Sequence, residues 1–169
     1  DNLAEYAGYN PDTGLSYYRG EDASSEGIEF TVSGALTEIW QVFGGYTHLN
    51  ITGDNGQDAR TYVPRDMLRL STTVLIPKIE GLKLGAQLSW QGDIERAQGA
   101  LDFEGNGIIS RQQSYALLGL MASYSWSPQW TLVANIDNVT NEKYLTSLYW
   151  SQGYYGAPRN GSLTLRYDF

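Results

Sequence analysis

The chain lacks cysteine and has only one histidine among its 169 residues. Without cysteine it can form no disulfide, no thiolate metal site and no thiol nucleophile. With His48 as the single imidazole, histidine-rich metal sites and Ser–His catalytic pairs are not expected either. We therefore predict that the protein is not an enzyme, and that it has no catalytic residues, no metal ligands and no covalently bound cofactor.

Positive charge and long apolar runs are also scarce. Lys and Arg number 11 against 19 Asp and Glu, a formal net charge of -8, which argues against binding of a nucleic-acid backbone. No segment approaches the roughly 20 apolar residues that a membrane helix needs. The chain is instead rich in Tyr (13), Trp (5) and Gly (19), a composition typical of an all-β protein with many turns.

Alternation of apolar and polar residues is the main pattern. In residues 82–91, Leu82, Leu84, Ala86, Leu88 and Trp90 form one face of a strand, and polar residues with one glycine form the other. The same period of two recurs elsewhere and predicts about seven strands in all. The other six cover residues 28–33, 40–50, 68–74, 116–126, 130–136 and 162–169.

The predicted connections alternate between short and long. Short turns lie at residues 35–39, 77–81 and 127–129, whereas long loops cover residues 52–64, 95–110 and 145–158. Short turns on one side and long loops on the other are typical of an antiparallel transmembrane β-barrel in a bacterial outer membrane. We expect residues 1–24 to form an extracellular loop and residues 25–169 to supply the strands and the remaining loops.

Aromatic residues favour the membrane barrel over a soluble ligand-binding barrel, the alternative that alternation alone leaves open. Trp40, Trp126 and Trp130 lie beside the short turns, and Phe169 ends the last predicted strand. Rings at strand ends suit a membrane interface, which has an apolar side and a wet side. We predict that these four aromatics lie at the interface with outer-membrane lipid.

Seven strands is an odd number, whereas bacterial single-chain barrels normally have an even one. An open sheet would leave unpaired backbone groups in lipid, where they are very costly. Either an eighth strand lies in residues 1–24, giving a small eight-stranded outer-membrane protein, or the strands belong to a larger barrel. Residues 1–24 are too polar for a good membrane strand, so we favour the larger barrel.

Three motifs stand out along the chain. They are YVPRDMLRLST at residues 62–72, the Asn-rich NIDNVTNEKY at residues 135–144 and YYGAPRNGSLTLRYDF at residues 154–169. Taken together, in order and spacing, they resemble TonB-dependent ferric-siderophore receptors of the hydroxamate, coprogen and pyoverdine type. In that family the first is similar to a strand entry, the second to the penultimate strand, and the third to the last loop and strand.

The resemblance implies a barrel of about 22 strands with a plug domain inside it. The seven predicted strands would then be the last seven, at the C-terminal end. The family imports ferric siderophores, with energy from a TonB-type partner that contacts an N-terminal segment. Neither that segment nor the plug is recognised in residues 1–169, so we expect the missing plug to belong to the same full-length chain.

The resemblance also implies that the ligand arrives as iron already held in an organic chelator, so the receptor offers aromatic and polar groups rather than metal ligands. Such groups gather in the last long loop: Tyr149, Trp150, Gln152, Tyr154 and Tyr155. Rings can stack on a flat chelate, and Tyr or Gln can orient it by hydrogen bonds. These residues are the candidate ligand-binding set; the alternative is that the rings only pack the loop.

Overall fold

The computed structural model describes residues 2–149 and 152–169. In this part of the chain, no helix is long and apolar enough to cross a membrane. The described residues form twelve strands: β1 (Asn2–Asn10), β2 (Leu15–Thr37), β3 (Trp40–Gly53), β4 (Asp66–Leu75), β5 (Leu82–Gln91), β6 (Ile94–Leu101), β7 (Gly107–Gln112), β8 (Tyr115–Ser125), β9 (Trp130–Asp137), β10 (Leu145–Tyr149), β11 (Gln152–Tyr155) and β12 (Asn160–Tyr167).

Eight of these strands form one antiparallel sheet in the order β1-β2-β3-β4-β5-β8-β9-β12. The strands β6–β7 and β10–β11 form two separate hairpins within the connections that follow β5 and β9. All seven predicted strands are present, as β2, β3, β4, β5, β8, β9 and β12. The prediction of an all-β antiparallel barrel segment is therefore confirmed, although two of the long loops contain hairpins that alternation did not indicate.

Residues 2–22 form a β-hairpin, whereas the sequence predicts a loop over residues 1–24. β1 pairs with Leu15–Asp22 of β2, and β2 begins to pair with β3 only at Ala23. At roughly 3.3 Å per residue, this hairpin extends about 25 Å beyond the pairing with β3. Hydrogen bonds close its turn, where the Asn10 side chain accepts from the Asp12 amide at 2.9 Å.

The hairpin does not turn the sheet into an eight-stranded barrel. β1 pairs only with the distal part of β2, so the part of β2 from Ala23 onward has β3 as its one neighbour among the described residues. β1 and β12 are the two outer strands of the order and do not pair with each other. The strands β2, β3, β4, β5, β8, β9 and β12 are called the wall below. This wall has seven strands, the number predicted from the sequence, and its two edges are open.

Strand register sorts the side chains onto two faces. Residues paired directly across antiparallel strands project from the same face of a sheet. One row across the wall is almost wholly apolar, and the adjacent row is mainly polar. The first contains Val42, Thr72, Ala86, Leu120, Ile136 and Gly161; the second contains Gln41, Thr73, Gly85, Met121, Asn135 and Ser162.

The polar face carries a cavity. Its volume is about 430 Å³, and its lining includes Arg69, Ser71, Gln87 and Asp137. A cavity on the polar face agrees with a transmembrane barrel, whose interior is polar and whose exterior is apolar. A soluble ligand-binding barrel requires the reverse arrangement, with the apolar face inward.

Buried apolar side chains are concentrated at the end of the sheet that carries the long connections. In the described part of the chain, the buried hydrophobic residues are Ile51, Ala59, Ile94 and Leu148. They belong to the distal part of β3, the β3–β4 loop, β6 and β10 respectively. The long loops thus form a small packed core of their own, and this core positions the candidate site.

Candidate ligand-binding site

The candidate ligand-binding residues lie on the β10–β11 hairpin. Tyr149 and Gln152 pair directly across it, and these two residues are described by their backbones only. Trp150 lies outside the described residues. The side chains of Tyr154 and Tyr155 are 55% and 72% exposed, so both rings are accessible from solvent. The structure therefore places four of the five predicted residues on one hairpin, two of them with exposed rings.

The base of this hairpin is held by Asn138, the buried polar residue of the described chain. Its side-chain amide donates to the Glu142 carbonyl at 2.8 Å and to the Ala157 carbonyl at 3.1 Å. Its side-chain oxygen accepts from the Glu142 amide at 2.8 Å. Asn141 accepts from the Arg159 amide at 3.0 Å. The Asn-rich run and the segment after the hairpin are thus joined by side-chain hydrogen bonds.

Asparagine suits this position for a second reason. Asn138 and Asn141 both have positive φ, 50° and 57°, a region that Asn tolerates better than most residues. Beside them, the Tyr144 ring packs against Gly156, where an added Cβ would collide with the ring. The Tyr144 ring also contacts Tyr115, with a centroid distance of 4.5 Å. The hairpin therefore rises from a rigid base.

The β6–β7 hairpin contacts β10 along its length. The Gln112 side-chain oxygen accepts from the Leu145 amide at 2.7 Å. The Arg96 guanidinium donates to the Leu148 carbonyl at 3.3 Å. Between these bonds, the Leu148 side chain is only 3% exposed and Ile94 only 5%. The two hairpins are thus packed and hydrogen-bonded together.

The β3–β4 loop joins the same unit from the other side. Thr61 and Glu95 exchange two bonds, because the Thr61 hydroxyl donates to the Glu95 carbonyl and the Glu95 amide donates to the Thr61 carbonyl. The Arg96 guanidinium lies over the Tyr62 ring, 4.4 Å from its centroid, in a cation–π arrangement. Arg65 donates to the carbonyls of Ile51 and Ala59 and so closes the loop on itself.

Sequence reasoning missed this loop unit, which consists of the β3–β4 loop and the hairpins β6–β7 and β10–β11. Turn chemistry offered one signal, since the sequence DFEGNG at residues 102–107 is typical of a tight turn. The Asp102 side chain accepts from the amides of Glu104 and Asn106 at 2.9 and 2.8 Å. Hydrogen bonds from Asn106 lower the pKa of the Asp102 carboxyl. The contacts of Arg96 had no comparable signal.

The four predicted membrane-interface aromatics lie at the short-turn end of the wall. Trp126 stacks on Trp130 at 6.1 Å, Trp130 contacts Tyr167 at 4.7 Å, and Tyr167 contacts Phe169 at 5.0 Å between ring centroids. Trp40 stands apart and donates to the Thr72 hydroxyl at 2.6 Å. The rings form a band across β8, β9 and β12, and their position in the membrane remains a prediction.

His48 lies near the other end of the wall, on the apolar face. Its ring nitrogen lies 2.7 Å from the Asp66 carboxylate, which also accepts from the Tyr46 hydroxyl at 2.6 Å. Among residues 2–149 and 152–169, no three His, Asp or Glu side chains are grouped to hold a metal ion. The His48 ring therefore takes part in a hydrogen-bonded cluster on the strand surface.

Comparison with known proteins supports the receptor reading of this architecture. Residues 1–139 match the family model described as TonB dependent receptor-like, beta-barrel. The chain is 34% identical, over its whole length, to the ferric-pyoverdine 358 receptor of Pseudomonas putida, and 33% identical, over 90% of its length, to the ferripyoverdine receptor of Pseudomonas aeruginosa. It spans about a fifth of the length of these relatives, 20% and 19% respectively.

Solved structures of receptors have a fold similar to that of this chain. The crystal structure of the Pseudomonas aeruginosa ferripyoverdine receptor bound to ferripyoverdine superposes with a TM-score of 0.85 at 31% identity, over 99% of this chain and 23% of that one. The ferric-catecholate import receptor Fiu of E. coli shares the fold, with a TM-score of 0.75 at 22% identity, over 100% of this chain and 24% of that one. The chain belongs to the TonB-dependent receptor β-barrel family.

Proposed function

We propose that this chain supplies part of the wall and part of the outer binding surface of a receptor that imports a ferric siderophore across the bacterial outer membrane. The observation that carries the proposal is the identity of 34% and 33% to two pyoverdine receptors, spread over 100% and 90% of the chain. A pyoverdine-type chelate is accordingly the first ligand to test.

The wall is suited to span the membrane, and the loop unit is suited to bind the ligand. The apolar outer face and the aromatic band provide a surface for lipid, and the open edges at β2 and β12 provide backbone groups for pairing with further strands. The loop unit presents exposed rings on a rigid support, which is how binding residues are commonly displayed on a barrel. Tyr149, Trp150, Gln152, Tyr154 and Tyr155 are the proposed ligand contacts.

The proposal extends to the plug domain and to the TonB-type protein that supplies energy for transport. The polar face, which carries the cavity lined by Arg69, Gln87 and Asp137, is suited to contact water and a plug domain inside a closed barrel. A TonB-type protein would supply energy by acting on that plug. The protein would thus be resident in the outer membrane as a multi-pass β-barrel.

The test uses the full-length gene product that includes this chain, expressed in a strain deleted for its own siderophore receptors. Uptake of radioactive iron is measured with ferric pyoverdines, a ferric hydroxamate and a ferric catecholate, with and without a functional TonB. We expect TonB-dependent uptake of at least one ferric pyoverdine. Binding of that chelate to the purified receptor should not require TonB.

The control is the same strain with an empty vector, and surface labelling of intact cells shows that the receptor reached the outer membrane. A folded, surface-exposed receptor that neither binds nor imports any ferric pyoverdine would contradict the proposed ligand. Import that continues at the same rate without TonB would contradict the proposed energy source.

A further inference from the structure

Arg96 occupies the centre of the loop unit and contacts two other loops at once. Its side chain leaves β6, donates to the Leu148 carbonyl of β10 at 3.3 Å, and lies 4.4 Å above the ring of Tyr62 in the β3–β4 loop. A guanidinium is planar, so it can stack on a ring with its face and donate hydrogen bonds from its edge. A lysine ammonium cannot make both contacts in this geometry.

The contacts around Arg96 restrict the position of the β10–β11 hairpin relative to β6, β7 and the β3–β4 loop. Gln112 holds the Leu145 amide at 2.7 Å, and Thr61 holds Glu95 of β6 through two hydrogen bonds. Leu148, whose backbone carbonyl accepts from Arg96, is itself buried. Because Leu148 pairs directly with Gly153, a shift at Leu148 would also move β11, which carries Tyr154 and Tyr155.

We propose that Arg96 is a positioning residue for ligand capture, which holds the β10–β11 hairpin at a fixed height and angle against β6 and the β3–β4 loop. The inference rests on the proposed function for its consequence in binding. Its structural part, the immobilisation of the hairpin, does not depend on any ligand. Ordering a loop before binding raises affinity because the ordering entropy is not lost again when the ligand binds.

Arg111 offers a matched control in the same hairpin. It lies on β7, forms an ion pair with the Glu95 carboxylate at 3.0 Å, and has a side chain that is 68% exposed. Exposed ion pairs of this kind contribute little to stability. Replacement by Gln removes the same charge at Arg96 and at Arg111, and replacement by Lys keeps it at both. Only the substitutions at Arg96 disturb the contacts with Leu148 and Tyr62.

The experiment measures hydrogen exchange in the ligand-free full-length receptor, for the peptides that cover residues 145–155. We expect Arg96→Lys and Arg96→Gln each to raise the exchange rate in this segment by about tenfold, the effect of losing one charge-assisted hydrogen bond and one cation–π contact. Arg111→Lys and Arg111→Gln should leave it unchanged, as should both pairs of variants for residues 116–136 in the wall.

Equilibrium binding of ferric pyoverdine then tests the consequence. Both Arg96 variants should weaken binding by about tenfold, whereas both Arg111 variants should bind as the wild type does. Unchanged exchange in residues 145–155 for Arg96→Gln would overturn the proposal. It would also be overturned if Arg96→Lys behaved as the wild type and only Arg96→Gln lost affinity, since the charge alone would then explain the role. A wild-type receptor that binds no pyoverdine would refute the proposed function and leave the exchange result decisive for Arg96.

Discussion

The wall and the loop unit of this protein are built for different surroundings. In the wall, large apolar side chains stand exposed, such as Phe30 at 63% and Leu163 at 70%. In contrast, Ala59, Ile94 and Leu148 of the loop unit are buried, as is Ile51 at the adjoining end of β3. The difference fits the proposed function, in which lipid covers the apolar face of the wall, whereas the loop unit and the adjoining end of β3 bury apolar residues without lipid.

Two neighbouring residues of β4 offer the sharpest test of which face of the wall contacts lipid. Leu70 projects from the apolar face and Ser71 from the polar face, near the middle of the strand. Leu70→Arg should destabilise the folded receptor by about 2–4 kcal/mol, the cost of an arginine facing lipid near the bilayer midplane. Ser71→Arg should cost much less, because a polar lumen can hydrate the guanidinium. Urea unfolding in lipid vesicles measures both; equal costs would contradict the assignment of faces.

The loop unit should break most readily at its buried amide. Asn138→Ala removes three hydrogen bonds and should lower the free energy of local opening by about 2 kcal/mol. Hydrogen exchange of residues 138–144 and 156–159 measures the opening. Asn138→Gly is the control for backbone strain, since glycine relieves the cost of the positive φ but restores no hydrogen bond. Full recovery in the glycine variant would show that conformation, rather than hydrogen bonding, matters here.

The exposed rings of the β10–β11 hairpin should affect binding rather than stability. We expect the double substitution Tyr154→Ala with Tyr155→Ala to weaken binding of ferric pyoverdine by about tenfold, through lost stacking and apolar contact. Thermal unfolding of the receptor should not change. The control is Tyr9→Ala, which removes a similarly exposed ring from the β1–β2 hairpin. An equal loss of affinity in the control would show that the effect is not specific to this hairpin.

The smallest expected effect is the response of the β6–β7 turn to acid. The pKa of Asp102 is lowered in the folded turn, chiefly by hydrogen bonds from Asn106. Its contribution to the turn is therefore present above the unfolded pKa and is lost as the pH falls through the lower, folded pKa. Exchange in residues 102–107, corrected for intrinsic rates, should rise at acidic pH in the wild type. Asp102→Asn should show no such pH dependence.

The success of sequence reasoning on the wall has a physical reason. In a sheet with one apolar and one polar face, apolar and polar residues must alternate along each strand. The seven strands of the wall show this alternation clearly enough to be counted from the sequence. The same rule did not indicate the hairpin at residues 2–22, which lies within the predicted loop of residues 1–24. This hairpin lies beyond the wall, where its residues need no lipid-facing stripe. The turn sequence Asn10–Gly14, with Asn10 accepting a backbone bond and Gly14 at positive φ, was the signal that could have predicted it.

By itself the sequence determined the strand count of the wall, its two faces, the side that bears the long loops and the family. These features are local, because they depend on alternation, turns and short motifs that each segment carries. Only the tertiary structure decided that Arg96, Tyr62 and Leu148 meet, and that Asn138 ties both ends of the last loop together. Those contacts join residues far apart in the chain, and no local pattern specifies which loops will pack when the barrel strands bring them side by side.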